Sequence, residues 1–150
     1  MFIEKQLSDN TINDINYLIE NTKLKPTDRV HLTHNGFQSN NIVNIFSNEL
    51  LKKMLPDNLY GLVFHIHYIH YYSGGYQKRH DHRDTEKFGF ILYLNDADGE
   101  TVFEEPVNRS IKPEKGKILL FDSSIPHYAN ESLLNKKILV GAISKIIKKY

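Results

Sequence analysis

The sequence predicts a mainly β protein, a double-stranded β-helix or jelly roll with two N-terminal helices packed on it. Two amphipathic segments with helical spacing lie in the preface that extends to about residue 58. From about residue 59 to 145 the segments are short, alternating and rich in β-branched and aromatic residues. About eight such segments are separated by polar turns, which is the strand number of a jelly roll.

The composition is that of an ordinary globular chain. With 150 residues, 40% hydrophobic and 25% charged, residues 1–150 are expected to form one domain. The net charge of +1 gives no reason to expect nucleic acid or an anionic membrane as partner. No segment approaches the ~20 apolar residues of a membrane span and no signal peptide is evident, so a cytoplasmic location is expected. Because there is no cysteine, nitrogen and oxygen must bind any metal.

Two helices are predicted before residue 58. From Ser8 to about Thr22 apolar residues recur at helical spacing behind several candidate N-cap residues. A second helix is predicted from about Asn40 to Met54, ending before Pro56. Asn35-Gly36, between the two, predicts a turn. Neither helix concentrates reactive side chains, so both are expected to cover a sheet.

The predicted strands follow one another to the end of the chain. Alternation along them predicts core positions that include Phe90, Leu92 and Leu139. The strands run approximately over residues 59–72, 76–82, 88–95, 100–105, 108–112, 117–122, 125–130 and 137–144.

The stretch from Tyr71 to Asp84 carries the strongest chemical signal, because histidines and carboxylates crowd together directly after a glycine pair. On an extended strand alternate side chains share a face, so His80, His82 and Asp84 would point the same way. Two imidazoles and a carboxylate form the facial site of iron(II) oxygenases, which needs one histidine from elsewhere. His127, after an apolar run, is the candidate for that distant ligand.

Other readings of these histidines remain open. The group at His80 to Asp84 also suits the charged tip of a hairpin. His65 and His67 lie two apart on another predicted strand and form a rival metal pair. They have no carboxylate beside them in the sequence, so packing or hydrogen bonding is the expected role. The same role is expected of the remaining histidines, His31, His34 and His70.

A series of motifs between Tyr71 and Ser144 resembles the prolyl-4-hydroxylase-like branch of the 2-oxoglutarate and iron(II)-dependent oxygenases. The motifs occur in the order typical of that family and span about half of the chain. They are Tyr71, Gly74, His82-Arg-Asp84, Tyr93-Leu-Asn95, Gly99-Glu-Thr-Val-Phe103, Pro113-Glu-Lys-Gly116, Phe121, His127 and Lys137.

The resemblance implies a 2-oxoglutarate-dependent Fe(II) dioxygenase that hydroxylates a second substrate and releases succinate and CO2. The substrate would be a small molecule or a peptide, and a peptidyl residue such as proline is one candidate. The cosubstrate would be 2-oxoglutarate, with ascorbate a candidate reductant. The residues implied are His82, Asp84 and His127 for Fe(2+), and Lys137 with Tyr93, Tyr71 and Thr101 for 2-oxoglutarate.

The sequence leaves two possible sets of metal ligands, which differ in whether Asp84 or His80 joins His82 and His127. Counted from Gly74, the family interval reaches His80, which would give a three-histidine site of His80, His82 and His127. Such a site would favour a metal dioxygenase that does not use 2-oxoglutarate. A non-catalytic jelly-roll or cupin-like binding module is the alternative outside the enzyme class.

Overall fold

The computed structural model describes residues 1–27, 33–56, 58–81 and 86–144. These residues form a mainly β fold, a curled antiparallel sheet with two α-helices, as the sequence predicts. The helices are α1 (Asp9–Ile19) and α2 (Asn48–Met54). The strands are β1 (Phe2–Gln6), β2 (Lys25–Pro26), β3 (Thr33–Gln38), β4 (Val63–His80), β5 (Phe88–Tyr93), β6 (Thr101–Phe103), β7 (Arg109–Ile111), β8 (Lys117–Asp122), β9 (His127–Ser132) and β10 (Lys136–Ile143).

The strands pair in the order β1-β8-β5-β10-β4-β9-β6-β7, with β3 also on β4 and β2 on β3. Every recorded pair is antiparallel. Neighbours in this order are often distant in sequence, so the fold depends on long-range pairing rather than on consecutive hairpins. Neither helix in the described segments is long and apolar enough to cross a bilayer.

Strand β4 is one continuous strand of 18 residues, where the sequence predicts two strands separated near Gly74. Its first half pairs with β10, from Val63 to Tyr71, and its second half pairs with β9, from Gly75 to His80. The change of partner falls at Gly74, whose φ of 88° suits glycine. A β-carbon on Gly75 would lie 2.9 Å from Tyr71 Cβ, so the chain packs on itself here.

The helix predictions are confirmed in one case and half wrong in the other. Helix α1 begins after Ser8, whose hydroxyl accepts a hydrogen bond from the Thr11 N–H. The helix predicted over residues 40–54 is wrong in its first half, because only a short 3-10 turn forms there before α2. The Asn41 side chain accepts from the Val43 and Ile66 N–H groups and so ties this segment to β4. Ser47 then caps α2.

The expectation of an entirely helical preface is wrong, because β1 and β3 lie within it. Strand β1 pairs with β8 as an edge strand, and four of its five residues are exposed. Strand β1 therefore lacks the alternation of apolar and polar residues by which a strand is predicted from sequence. At Asn35-Gly36 the structure has a register irregularity in β3 instead of the predicted turn, with Asn35 at a φ of 53°.

The sheet buries apolar side chains on both faces. We call the group on the helix side the outer core, and the alternation-predicted positions Phe90, Leu92 and Leu139 lie in it, as expected. We call the group on the opposite side the inner core. Its buried members are Ile69, Tyr71, Ile91, Tyr93, Phe103, Ile111, Leu119, Phe121, Ile125 and Ile138.

A carboxylate from a distant loop holds the connection between β9 and β10. Asp98 accepts hydrogen bonds from the Ser132 hydroxyl at 2.8 Å and from the Leu133 and Leu134 N–H groups at 3.1 and 3.0 Å. The Leu134 N–H and the other donors lower the pKa of Asp98 to about 2. In this register Lys136 lies opposite Tyr71 on β4.

Candidate functional site

A cavity of about 500 Å³ lies against the inner core. Side chains of β4, β5, β9 and β10 contribute most of its lining. Apolar inner-core residues are interrupted there by polar side chains, namely His65, His67, Tyr71, His80, Glu86, Thr101, His127 and Lys136. Polar groups converging in an apolar pocket are typical of a small-molecule site.

His80 and His127 meet at the wall of this cavity. They are Cα partners across β4 and β9, and their ring centroids are 4.3 Å apart. The His80 Nδ1 lies 2.8 Å from the Lys78 carbonyl oxygen, and the His127 Nδ1 lies 3.1 Å from the Ile125 carbonyl oxygen. A carbonyl oxygen can only accept, so each Nδ1 carries the proton. Nε2 is then the lone-pair nitrogen of each ring, the arrangement of a metal-binding histidine.

The His127 ring is deeply buried, and the surroundings of the His80 ring favour neutral imidazole. His127 is 3% exposed and packs against the rings of Phe103 and Phe121 at centroid distances of 5.4 and 5.0 Å. Burial lowers the pKa of His80, against smaller opposing effects of the Lys78 carbonyl and of Asp81. A neutral ring is the form that coordinates a metal.

The predicted ligands His82 and Asp84 lie outside the described residues. Within residues 1–27, 33–56, 58–81 and 86–144, no three His, Asp or Glu side chains are grouped closely enough to hold a metal. The structure does bring together His127 and His80, the alternative ligand of the sequence analysis.

The lysine that reaches the cavity is Lys136, not the predicted Lys137. Lys136 is 1% exposed, and its Nζ donates to the Gly99 carbonyl oxygen at 3.2 Å and lies 5.1 Å from the centroid of the Tyr71 ring. Burial lowers the pKa of Lys136 to about 8, partly opposed by Asp98. Lys137 is exposed on the other face of β10, beside the surface residue Asn95.

The three hydroxyl residues predicted for cosubstrate binding are all buried near Lys136. The Tyr71 hydroxyl has no hydrogen-bond partner within the described part of the chain, although it is buried. The Tyr93 hydroxyl lies 2.5 Å from the Thr101 hydroxyl. Of that pair, Thr101 lines the cavity and Tyr93 lies behind it. Burial raises the pKa of both tyrosines, so both hydroxyls remain protonated donors.

A second polar group lies at the other end of the cavity, where the sequence analysis expects only packed histidines. The Glu86 carboxylate is 3.7 Å from His65 Nε2, and Glu86 is 5% exposed. Burial raises the pKa of Glu86 to about 7. His67 Nδ1 donates to the Ser39 carbonyl oxygen at 3.0 Å. Neither Glu86 nor Lys136 was singled out from the sequence; each is a charged residue next to an apolar strand, which is the only signal available.

The likeness of this chain to known proteins is one of structure. No family model and no curated protein matches the sequence. Among solved structures, a Pseudomonas putida prolyl-4-hydroxylase is similar with a TM-score of 0.71 and 15% identity over 97% of this chain and 93% of its own. A 2OG-Fe(II) oxygenase family oxidoreductase from Burkholderia pseudomallei is similar with a TM-score of 0.72 and 12% identity, covering 95% of this chain and 84% of its own.

A third similar structure is HygX from Streptomyces hygroscopicus, with nickel, 2-oxoglutarate and hygromycin B bound. Its TM-score is 0.72 with 9% identity, covering 99% of this chain and 85% of its own. At these identities the likeness concerns the fold. The chain therefore has the fold of the prolyl-4-hydroxylase and 2-oxoglutarate–Fe(II) oxygenase structures, as its motifs indicate.

Proposed function

We propose that this protein is a 2-oxoglutarate-dependent Fe(II) dioxygenase built on a single jelly-roll domain. It would hydroxylate a C–H bond of a second substrate and release succinate and CO2. The observation that carries this proposal is the buried Lys136 ammonium over the ring of Tyr71, in the same cavity as His80 and His127. The Tyr71 hydroxyl has no hydrogen-bond partner among the described residues. The similar structures support the same reaction class.

The inner end of the cavity fits an anionic cosubstrate. A buried ammonium is unfavourable unless an anion or several acceptors surround it. Among the described residues, Lys136 Nζ makes one hydrogen bond, to the Gly99 carbonyl. A carboxylate at this point would accept from Nζ and from the Tyr71 hydroxyl, and charge-assisted bonds of this kind are strong. The Thr101 hydroxyl supplies a further polar contact on the cavity wall.

His80 and His127 are the two imidazoles that would hold iron(II), through their Nε2 atoms. The third ligand would be His82 or Asp84, which follow directly in the sequence. When bound, iron(II) supplies the oxidative chemistry with oxygen and 2-oxoglutarate. The backbone carbonyls at Lys78 and Ile125 fix the ring orientations, and the rings of Phe103 and Phe121 exclude water from the His127 side.

The test uses the two adjacent lysines as a matched pair. Iron(II) and 2-oxoglutarate, added without oxygen, should give the visible charge-transfer band of the chelate in the wild type and in Lys137→Met. Lys136→Met should bind iron but require a much higher 2-oxoglutarate concentration for the same band. With oxygen, the wild type should release succinate slowly even without its substrate. Iron-loaded protein that gives neither band nor succinate would exclude the proposal.

The contact between His80 and His127 also favours a second candidate, a metal dioxygenase with a three-histidine site that does not use 2-oxoglutarate. With His80 as a ligand, His82 stands two residues further on and would supply the third imidazole. The same titration separates the two candidates. Bound iron without a 2-oxoglutarate band, together with iron loss in His82→Ala but not in Asp84→Ala, would favour the second.

A further inference from the structure

The cavity is charged with opposite signs at its two ends. Lys136 lies at the start of β10, opposite Tyr71, whereas His67 and His65 lie opposite Val140 and Ala142 near its end. Along an extended strand this separation is roughly 20 Å. The Lys136 end is closed, with Lys136 1% exposed, while the other end has a His65 side chain that is 31% exposed. We call the open end, lined by His65, His67, Glu86 and Gly89, the cavity mouth.

Glu86 is the acidic group of the cavity mouth, and no hydrogen bond to its carboxyl group is found within the described part of the chain. Its only ion-pair neighbour among the described residues is His65 Nε2, at 3.7 Å, which is too long for a hydrogen bond. His65 is not a strong counter-charge, because burial and the neighbouring His67 lower its pKa. A buried carboxyl without a hydrogen-bond donor is unfavourable. A ligand that brings a donor would therefore be bound favourably here.

The other polar atoms of the cavity mouth also act as acceptors. His67 donates from Nδ1 to the Ser39 carbonyl, so its Nε2 is an acceptor when the ring is neutral. His65 Nδ1 is buried and has no partner within the described part of the chain. Phe121 and Phe64 add aromatic rings to the lining. A carboxylate with imidazole acceptors and aromatic rings is suited to a cation with N–H donors more than to a neutral hydroxyl.

Glu86 is also close to the proposed metal ligands. A β-carbon on Gly89 would lie 3.3 Å from a Glu86 carboxylate oxygen and 3.3 Å from the Phe121 ring. The same Phe121 ring is 5.0 Å, between centroids, from the ring of His127. The Phe121 ring is therefore a neighbour both of His127 and of the Gly89 position beside the Glu86 carboxylate. A group bound at Glu86 would occupy the same cavity as His80 and His127.

We propose that the cavity mouth is the substrate subsite for an aliphatic ammonium group, bound by the Glu86 carboxylate with His67 as a second acceptor. The inference deepens the proposed function and rests on it for the claim that the bound amine is oxidised. Anionic cosubstrate at Lys136 and cationic substrate at Glu86 would then enter the cavity without competing. The ammonium group belongs either to a free small amine or to a lysine side chain in a peptide.

The test is a binding measurement, independent of turnover. Isothermal titration of the full chain would use 1,4-diaminobutane for the free amine and N-acetyl-lysine methylamide for the peptide. Their neutral counterparts are 1,4-butanediol and N-acetyl-norleucine methylamide. At least one ammonium probe should bind ten times more tightly than its counterpart, and the tighter of the two identifies the source. Equal binding of charged and neutral probes, or no binding, would overturn the inference.

The matched variants are Glu86→Gln and Glu49→Gln, which remove the same charge from the cavity mouth and from the exposed start of α2. The ammonium preference should disappear in the first and persist in the second. If Glu86→Gln fails to fold, Gly89→Ala serves instead, because its new methyl group would crowd the Glu86 carboxylate. A preference that survives in the folded Glu86 or Gly89 variant contradicts the subsite.

Lys136→Met separates this inference from the proposed function. It should lose affinity for 2-oxoglutarate and retain the ammonium preference. If the wild type binds the amine but no 2-oxoglutarate, the proposed function fails and the subsite stands. If it binds 2-oxoglutarate but shows no ammonium preference, the subsite fails and the proposed function stands.

Discussion

The two faces of the sheet formed by β4, β5 and β10 have the same strands and opposite chemistry. On the outer face Phe90, Leu92 and Leu139 pack against the helices in a fully apolar core. On the inner face, apolar residues such as Ile138 alternate along the cavity wall with Lys136, Tyr71 and the histidines. The outer face supplies stability, while the inner face holds polar groups such as the Tyr71 hydroxyl, which has no hydrogen-bond partner within the described part of the chain and is unfavourable there.

The largest effect should come from removing an inner-face imidazole. His80→Ala and His127→Ala should each abolish iron(II) binding, because each removes one of the proposed ligands. His70→Ala is the control, since His70 lies on the same strand β4 but outside the cavity lining. Iron content after anaerobic loading and desalting measures the effect. If the His80 variant retains iron, His80 is not a ligand, and the set His82, Asp84 and His127 is favoured.

A cavity in the outer core should have the next largest effect, on folding alone. Leu92 has no exposed surface, and Leu92→Ala should lower the free energy of unfolding by about 2–5 kcal/mol. Urea denaturation followed by circular dichroism gives this value. The folded fraction should bind iron like the wild type, and a specific loss of iron affinity would contradict the division of roles between the faces.

Lys136→Met should weaken 2-oxoglutarate binding and at the same time raise the free energy of unfolding. Without ligand, the variant should be more stable by about 1–3 kcal/mol near pH 7, because a buried, poorly compensated cation is replaced by an apolar side chain. The pKa of Lys136 is lowered from 10.5 to about 8, so the folded state disfavours its proton. The destabilisation is complete below pH 8 and is relieved as the pH rises toward 10.5.

Unfolding curves of wild type and Lys136→Met between pH 7 and pH 10 would therefore converge. Lys137→Met should show neither the stability gain nor the convergence, because Lys137 is exposed. A pH-independent difference between Lys136→Met and the wild type would show that the Lys136 cation is compensated in the folded state.

Tyr71→Phe should have the smallest effect of the four. It removes a hydroxyl that has no partner among the described residues and leaves the ring in place. The free energy of 2-oxoglutarate binding should weaken by about 0.5–1.5 kcal/mol, as for one hydrogen bond, while the ligand-free protein keeps or gains stability. Titration of the charge-transfer band and thermal unfolding measure the two effects. An unchanged affinity for 2-oxoglutarate would show that the Tyr71 hydroxyl does not contact the cosubstrate.

The sequence predicts the outer face better than the inner one, for a physical reason. Phe90 and Leu92 follow the two-residue period of a strand, so the alternation predicts both the strand and which of its faces is buried. In β10 this signal is absent, because Ile138, Leu139 and Val140 are apolar on both faces. Alternation therefore cannot tell which of two adjacent lysines faces the cavity, and the family interval selects Lys137, which is exposed, whereas Lys136 lines the cavity.

The remaining differences have similar causes. Strand β1 is a polar edge strand and leaves no periodic signal. Glu86 looks like a turn residue in the sequence, and only the pairing of β5 with β8 and β10 brings it toward the cavity. The neighbourhood of His80 and His127 depends on the pairing of β4 with β9, which is a long-range contact that local patterns do not encode.

The hydrogen bonds of Asp98 bear on the register of β10, although Asp98 lies far from that strand in the sequence. Strands β9 and β10 both pair with β4 and not with each other, and a slip of β10 by one residue along β4 would exchange the lysine that faces inward. Asp98 binds the connecting residues from 34 and 36 positions away in the sequence and so selects one register. The loop that contains Asp98 thus helps to specify which lysine faces inward, and its Gly99 carbonyl oxygen accepts the hydrogen bond of that lysine at 3.2 Å. An insertion or deletion of one residue between Ser132 and Lys136 would therefore be expected to change which lysine faces the cavity, although every residue that now lines the cavity would still be present in the sequence.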